Sequence, residues 1–235
     1  MKLSARLMRI AQFVLPGSFV ADIGTDHALL PIYLVKQNIA SKVICGELNS
    51  GPLNVAFRNV EKAGLDNRIT LRLGNGFDIV NDEDIDVCVI AGMGGPTIRD
   101  IIKKAGQKAG GLKQLILQPM GGSGPLREWL AENGWLITEE DLIKEDGHIY
   151  EIISALRGPE IETDRVLVSV GPRLVETKHP LLIELLAQEI KHNIGILTNM
   201  GQSDLPETFT KLSQLKQRTE SLERIITCLL NARQS

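Results

Sequence analysis

Glycine and acidic residues follow the ends of five predicted strands, and these residue types favour a ligand-binding site. The segments are Asp22–Ala28, Gly46–Asn49, Gly74–Asp78, Ala91–Gly95 and Gln118–Gly122. Ligands of open α/β sheets bind outside the carboxyl ends of the strands, so these segments are expected to lie together. A glycine such as Gly24 lets the backbone pass close to a ligand.

The spacing of these residues favours a cationic cofactor over a dinucleotide. Asp26 and Leu29 stand where the second and third glycines of a dinucleotide-binding G-x-G-x-x-G motif would be. A negative charge at Asp26 also opposes the binding of a pyrophosphate. Glu47 follows Gly24 by 23 residues, a position from which a carboxylate accepts hydrogen bonds from ribose hydroxyls. Together these features fit S-adenosylmethionine better than a nicotinamide dinucleotide.

Each of these residues also has a purely structural interpretation. Gly24 could be an ordinary turn glycine, Asp26 could cap the following helix, and His27 could be a half-buried core histidine. The run Ala91–Gly95 is different, because three glycines in four positions weaken a strand end without an evident structural return. That run therefore favours a functional role.

The elements that must position these residues alternate between short apolar runs and longer helical patterns. This alternation predicts a parallel sheet covered by helices on both faces. Lys144–Gly147 separates two further runs and contains an Asp-Gly pair, which favours an antiparallel hairpin at one sheet edge. The seven predicted strands are 19–23, 42–46, 69–73, 86–90, 114–117, 135–143 and 149–156.

The pattern changes at Gly158-Pro159, which divides the chain into a sheet domain, residues 1–158, and a helical domain, residues 159–235. Two helical windows, about 180–200 and 207–232, carry largely apolar stripes and are separated by a polar turn at 201–206. Such stripes predict an antiparallel helical hairpin. At the other end of the chain, an apolar residue every three or four positions from Leu3 to Val14 predicts a surface helix.

The composition is that of a globular protein and excludes several classes. The 235 residues are 43% hydrophobic and 23% charged, with a net charge of −3, so binding to nucleic acid would need a local basic surface. Three widely spaced cysteines, Cys45, Cys88 and Cys228, indicate neither a disulfide framework nor a zinc site and fit a reducing cytosol. No apolar run is long enough to span a bilayer.

The loop segments in combination resemble the bacterial tRNA (adenine-N1)-methyltransferase family that modifies adenine 22 in the D-arm. The similarity extends to Leu3-Ser4, Arg6-Leu7, Gly147–Glu151 and the terminal hairpin. It implies a class I S-adenosylmethionine-dependent methyltransferase with a Rossmann-like seven-stranded sheet and a C-terminal coiled-coil domain. It also implies tRNA as the partner and the cytoplasm as the location. We expect no metal and no membrane partner, and a monomer.

The resemblance assigns candidate site residues. Those expected to bind the cofactor are Asp22, Gly24, Thr25, Asp26, Glu47, Leu48, Asn75, Gly76, Ala91, Gly92 and Met93. Those expected to bind the substrate are Arg6, Met93, Gly94, Gln118, Pro119 and Tyr150. Basic residues expected to hold tRNA are Lys2, Arg6, Arg9, Lys178, His179, Lys191, His192, Lys211, Lys216 and Arg218.

The chemistry of methylation at adenine N1 defines the catalytic candidates. N1 carries an in-plane lone pair and needs no base, whereas the positive charge that appears on adenine needs a negative neighbour. Asp26 is the first candidate for this role and His27 the second. Methyltransferases of exocyclic amines usually carry Asn-Pro-Pro-aromatic after the fourth strand, but Ala91–Gly95 stands there, which favours a ring nitrogen as the target.

Two alternatives remain open from the residues alone. A methyltransferase of a small molecule or a protein would suit the acidic isoelectric point. A binding module without enzymatic activity could use the hairpin to recruit a partner or to dimerise.

Overall fold

The computed structural model describes residues 3–81, 83–200 and 206–234, and its centre is one seven-stranded sheet. The strand order is β3-β2-β1-β4-β5-β7-β6. The strands are β1 (Ser18–Ile23), β2 (Ala40–Glu47), β3 (Ile69–Leu73), β4 (Val87–Met93), β5 (Gln114–Pro119), β6 (Trp135–Glu145) and β7 (His148–Arg157). The first five strands run parallel. The predicted Rossmann-like sheet is confirmed.

Strand order reverses between β1 and β4, which are hydrogen-bonded neighbours although β2 and β3 separate them in sequence. The chain runs outward from β1 to β3, then returns to the centre and continues through β4 and β5. The connections after β1 and β4 therefore leave the sheet in opposite directions. This divergence opens a crevice at the carboxyl edge, where α/β proteins bind ligands.

Helices cover both faces of the sheet, as the apolar strands predict. One core contains Ile98 and Leu126 from the helices after β4 and β5, and the other contains Ile10, Leu34 and Val60 from the first three helices. The helices of the sheet domain are α1 (Ala5–Phe13), α2 (Leu29–Lys36), α3 (Ser50–Ala63), α4 (Gly95–Ala105) and α5 (Ser123–Glu132). Short 3-10 turns follow β3 at Gly76–Ile79 and α4 at Gly106–Ala109.

The last two strands form the predicted antiparallel hairpin at one edge of the sheet. β7 pairs antiparallel with both β5 and β6. Asp146 and Gly147 in the connecting turn have φ values of 49° and 79°. Positive φ at both central residues is the reason that Asp-Gly suits a two-residue hairpin turn.

The C-terminal part of the chain is helical and ends in two long helices. α6 (Arg165–Val170) and α7 (Pro172–Glu176) pack against α5 and β6. α8 (Leu182–Met200) and α9 (Pro206–Gln234) follow. Lys178, just before α8, donates a hydrogen bond to the carbonyl of Ala232 near the end of α9, so the two helices are antiparallel, as predicted.

The hairpin is held by apolar side chains that the stripes identify. Leu182, Leu186, Leu222 and Leu229 are buried between α8, α9 and the adjoining part of the sheet domain. The turn predicted at 201–206 falls almost entirely outside the described residues, as does Lys2. The division of the chain after residue 158 stays a prediction. In the described part of the chain, no helix combines the length and the hydropathy needed to cross a membrane.

Candidate active site

A cavity of about 840 Å³ lies in the crevice at the carboxyl edge of the sheet. It is formed by the segments after β1, β2, β3 and β4, together with α1 and α4. All the residues expected to bind the cofactor line it: Asp22, Gly24, Thr25, Asp26, Glu47, Leu48, Asn75, Gly76, Ala91, Gly92 and Met93. The fold thus brings together residues that are up to 71 positions apart in sequence.

Asp22 is a buried carboxyl group in the wall of this cavity. It is 5% exposed near the end of β1 and pairs in register with Cys45 on β2. Burial raises the pKa of Asp22 to about 6. Burial, and in second place the charge of Asp22, also raise the pKa of the Cys45 and Cys88 thiols. Both cysteines are therefore thiols in the core, not nucleophiles.

Glu47 joins two loops of the cavity through its carboxylate. One oxygen accepts hydrogen bonds from the backbone N–H of Leu48 at 2.9 Å and of Asn49 at 3.0 Å. The other oxygen accepts from the N–H of Asp26 at 3.3 Å. The first oxygen also lies 3.5 Å from Nδ2 of Asn49, whereas the other oxygen accepts, among the described residues, only from Asp26 and keeps an acceptor position for a hydroxyl group in the cavity. An acceptor of this kind suits the hydroxyl groups of a ribose, which donate hydrogen bonds.

The structure explains why position 24 is a glycine, which the sequence alone did not reveal. Its φ is 78°, and a Cβ built on it would lie 2.4 Å from Cε of Met93. The left-handed backbone is what favours glycine here, and the flexible Met93 side chain occupies the space that a Cβ would need. Gly24 and Met93 both line the cavity.

Asp26 and His27 lie at the mouth of the cavity. The Asp26 side chain is 68% exposed, and its Oδ1 lies 3.2 Å from Nδ1 of His27. Asp26 has a φ of 53°, a left-handed conformation that aspartate and asparagine adopt more readily than most residues. An exposed carboxylate in this place can approach a substrate that enters the crevice.

The structure places only some of the residues expected to bind the substrate in the cavity. Arg6 and Met93 line the cavity, whereas Gly94, Gln118, Pro119 and Tyr150 do not. Gln118 and Pro119 are buried. The side-chain amide oxygen Oε1 of Gln118 accepts from the guanidinium of Arg6 and, at 3.2 Å, from the N–H of Gly92. Gln118 therefore positions the Arg6 side chain and the backbone at Gly92.

Arg6 connects α1 to this edge of the sheet. Its guanidinium carbon lies 5.2 Å from the ring centroid of Tyr150, within the range of a cation–π contact. Its hydrogen bond to Gln118 fixes the other side of the guanidinium. Tyr150 does not line the cavity, so the substrate role predicted for it would act through its contact with Arg6 or from outside the cavity.

One side of the cavity comes from residues that sequence reasoning missed. α4 and the turn after it contribute Thr97, Asp100, Ile101, Lys104, Ala105 and Lys108. Lys108 donates to the carbonyls of Phe77 at 3.2 Å and Val80 at 2.6 Å and holds the loop after β3. The available indication was the amphipathic pattern of α4 directly after the glycine run. Met120 does not line the cavity, but it is 57% exposed and its N–H donates to the carbonyl of Met93 at 2.8 Å.

The charge of the cavity suits a cationic cofactor. Five carboxyl groups line it, against three basic side chains: Asp22, Asp26, Glu47, Asp78 and Asp100 against Arg6, Lys104 and Lys108. Lys108 is also occupied by backbone carbonyls. No group of three metal-ligating side chains occurs among the described residues. The site fits S-adenosylmethionine, and the fold and site together define a class I methyltransferase that uses this cofactor.

Comparison with known proteins gives the family. Residues 20–225 match the family model for tRNA (adenine(22)-N(1))-methyltransferase. The curated enzyme of that name from Bacillus subtilis is 36% identical over 96% of this chain and 98% of its own length. The chain belongs to the tRNA (adenine(22)-N(1))-methyltransferase family.

Solved structures agree with this assignment. The crystal structure of the B. subtilis M1A22 tRNA methyltransferase has a TM-score of 0.88 and 35% identity, covering 96% of this chain and 99% of its own. The Streptococcus pneumoniae protein Sp1610 with S-adenosyl-L-methionine has a TM-score of 0.85 and 30% identity, with coverages of 96% and 100%. The structure of the M. capricolum enzyme with S-adenosyl-homocysteine has a TM-score of 0.85 and 32% identity, covering 97% of this chain and 100% of its own.

Proposed function

We propose that this protein transfers a methyl group from S-adenosylmethionine to N1 of adenine 22 in the tRNA D-arm. The observation that carries the proposal is an acidic cavity at the strand-order reversal, with the exposed carboxylate of Asp26 at its mouth. Family membership supports the reaction and its substrate. When bound, the cofactor supplies a methyl group on a cationic sulfur. The residues of the chain orient it and exclude water.

Asp26 is proposed to stabilise the positive charge that appears on adenine during transfer. Its carboxylate can accept a hydrogen bond from the exocyclic amine, which becomes more acidic as the ring gains charge. No residue has to remove a proton before N1 attacks. His27, whose Nδ1 lies 3.2 Å from Asp26, is proposed to orient the carboxylate.

The target adenine must leave its stack to reach the cavity. Met93 lines the cavity, and the exposed Met120 lies next to it, since the N–H of Met120 donates to the carbonyl of Met93 at 2.8 Å. We propose that these two flexible apolar side chains contact the faces of the base. They would replace the aromatic residue that exocyclic-amine methyltransferases carry after the fourth strand.

The basic surface proposed to hold tRNA is smaller than the sequence predicted. Arg9 and His179 both contact the carboxylate of Asp141, and Arg218 contacts Glu189. The exposed lysines on the hairpin are Lys191, Lys211 and Lys216. These three are the proposed phosphate contacts. A monomer acting in the cytoplasm, where its tRNA substrate is found, completes the proposal.

The test is methylation of unmodified tRNA transcripts with radiolabelled S-adenosylmethionine, followed by nucleoside analysis. We expect N1-methyladenosine, and none from a transcript with guanine at position 22. Asp26→Asn keeps the left-handed backbone and removes the charge, so kcat is expected to fall about 10²- to 10³-fold, with S-adenosylhomocysteine affinity nearly unchanged. Asp66→Asn, on the surface away from the cavity, is the matched control.

Three results would contradict the proposal or a part of it. A product other than N1-methyladenosine would overturn the substrate assignment. An Asp26→Asn variant with full activity would remove the proposed role of the carboxylate while leaving the reaction intact. Methylation of small molecules or proteins, but of no tRNA, would favour the other class of methyltransferase.

A further inference from the structure

A second cavity of about 440 Å³ lies between the start of α5 and the helical hairpin. Its walls combine apolar side chains with polar groups from both parts of the chain. Val170, Leu185 and Leu186 supply apolar surface, and Ser123, Gln188 and His192 supply polar groups. This volume is within the range of small-ligand sites. Nothing in the proposed methyl transfer uses this cavity.

A buried arginine lines the second cavity, and one nitrogen of its guanidinium has no hydrogen-bond partner in the part of the chain that the structure describes. Arg127 is 1% exposed, its Nε donates to Glu140 at 2.6 Å, and its Nη1 contacts Glu151 at 2.8 Å. Nη2 is buried and has no hydrogen-bond partner among the described residues. A buried donor without a partner is costly, so a ligand acceptor at this position would satisfy it. Ser123, 2.7 Å from Glu151, is a second polar group on the same wall.

One loop separates the second cavity from the first. The loop after β5 supplies Gly122 and Ser123 to the second cavity. The same loop is bonded to the wall of the first cavity, because the carbonyl of Gly121 accepts from the N–H of Gly95 at 2.8 Å. The loop after β5 therefore lies between the second cavity and α4, the helix that forms one side of the first cavity. An RNA that presents its target base to the first cavity has the second cavity across this loop.

The charges of the second cavity select the part of an RNA that could enter. Three carboxylates line it, from Glu128, Glu151 and Glu189, against the two guanidinium groups of Arg127 and Arg218. A phosphate would meet more negative than positive charge. An unpaired base carries apolar faces and an edge with both donors and acceptors, and proteins read such bases by stacking and by that edge.

We propose that the second cavity binds one unpaired base of the same tRNA whose adenine is methylated. The proposal rests on the proposed function for the identity of the ligand. The base packs against Val170 and Leu185, and its edge meets the carboxylate of Glu151 or Glu189. The edge reaches the buried, unpartnered Nη2 of Arg127 when the side chains that cover this nitrogen shift. Binding of this base helps to place the target adenine over the first cavity.

The test blocks the second cavity from its exposed rim and combines the block with base deletion. Gln188 is exposed on α8 and lines the cavity, so Gln188→Trp fills it without disturbing the core. Ala187→Trp, on the next exposed position outside the cavity, is the matched control. Binding is measured with S-adenosylhomocysteine present, using transcripts that carry a single abasic residue at each unpaired position in turn.

We expect one abasic position, other than 22, to weaken wild-type binding about tenfold, the size of a lost stacked base. The same abasic transcript should bind the Gln188→Trp variant no more weakly than the intact transcript does. Intact transcript should bind Gln188→Trp about tenfold more weakly than wild type, and Ala187→Trp within about twofold. Abasic position 22 should weaken all three proteins equally.

Abasic effects that are the same in wild type and in Gln188→Trp at every position would overturn the second base site. That outcome would leave the methyltransferase assignment intact, provided the wild type still produces N1-methyladenosine. Failure of the wild type to methylate any tRNA would instead overturn the proposed function. The methylation assay and the abasic scan therefore separate the two failures.

Discussion

Replacing Asp22 by asparagine should make the stability of the protein less sensitive to pH. Burial raises the pKa of this carboxyl group from 3.8 to about 6 in the folded protein. The folded state therefore binds the Asp22 proton more tightly than the unfolded state. Between these two values, a rise in pH favours the unfolded chain, because only there does the group ionise without desolvation.

The magnitude follows from the two pKa values. The shift corresponds to a cost of about 3 kcal/mol once the pH is well above 6 and to almost none below 3. About 1.4 kcal/mol of this cost develops between pH 5 and pH 7.5. Asparagine at position 22 has a similar shape and carries no charge at any pH. The Asp22→Asn variant should thus gain stability relative to wild type as the pH rises.

The assay is urea unfolding of both proteins at about pH 5 and about pH 7.5 without ligand. The difference in unfolding free energy between Asp22→Asn and wild type removes the contributions of all other titrating groups. We expect this difference to be larger by about 1.4 kcal/mol at the higher pH, with unchanged m values. A difference that stays constant with pH would refute the claim that burial controls this group.

Two further predictions concern packing around the loop after β5. Arg127→Met should lower the unfolding free energy by about 3–5 kcal/mol, because it leaves two carboxylates without their cation. Thermal unfolding measures this loss of stability. The control is Arg99→Met, which breaks an exposed ion pair with Asp100 and should lower the unfolding free energy by less than about 1 kcal/mol. Gly95→Ala should destabilise by about 1–3 kcal/mol, since its Cβ would lie 2.3 Å from the Gly122 carbonyl oxygen. Gly51→Ala, with open space around it, should be neutral or stabilising by up to about 1 kcal/mol. Equal effects of the two alanines would contradict the packing argument.

The sequence predicts the cavity well because the carboxyl ends of parallel strands converge on one edge. Short apolar runs locate the strands, and the polar and glycine residues that follow each run must then share that edge. The hairpin of β6 and β7 was predictable for a different reason. Asp146 and Gly147 have the backbone freedom that a tight two-residue turn requires, which is a local property of the residues.

The parts that the sequence did not predict depend on contacts between distant segments. Gly24 lies against the side chain of Met93, 69 residues away, and neither segment indicates that contact. The burial of Gln118 depends on α1, whose Arg6 reaches over β5. The ion pairs of the basic residues depend on the fold in the same way, because Arg9 on α1 and His179 before α8 both contact Asp141 of β6.

Arg127 joins the start of the helical region to the loop after β5 through ion pairs and hydrogen bonds. An arginine on a helix is expected at the surface, yet this one is buried between Glu140 on β6 and Glu151 on β7. Its Nη1 also donates to the carbonyl of Ser169 at 3.4 Å. The second oxygen of Glu140 accepts from the N–H of Arg173 at 2.9 Å. The start of the helical region thus completes a charge network that begins beside Ser123 at the second cavity.

This connection determines how the helical region should be studied. A chain that ended at residue 158 would lose the N–H of Arg173 and the carbonyl of Ser169, and Glu140 and Arg127 would keep their charges with fewer hydrogen bonds. Such a truncation would combine loss of RNA contacts with a destabilised loop after β5. Single substitutions on exposed positions of α8, such as Gln188→Trp, leave the network intact. Their effect on tRNA binding therefore reports the contribution of the hairpin itself.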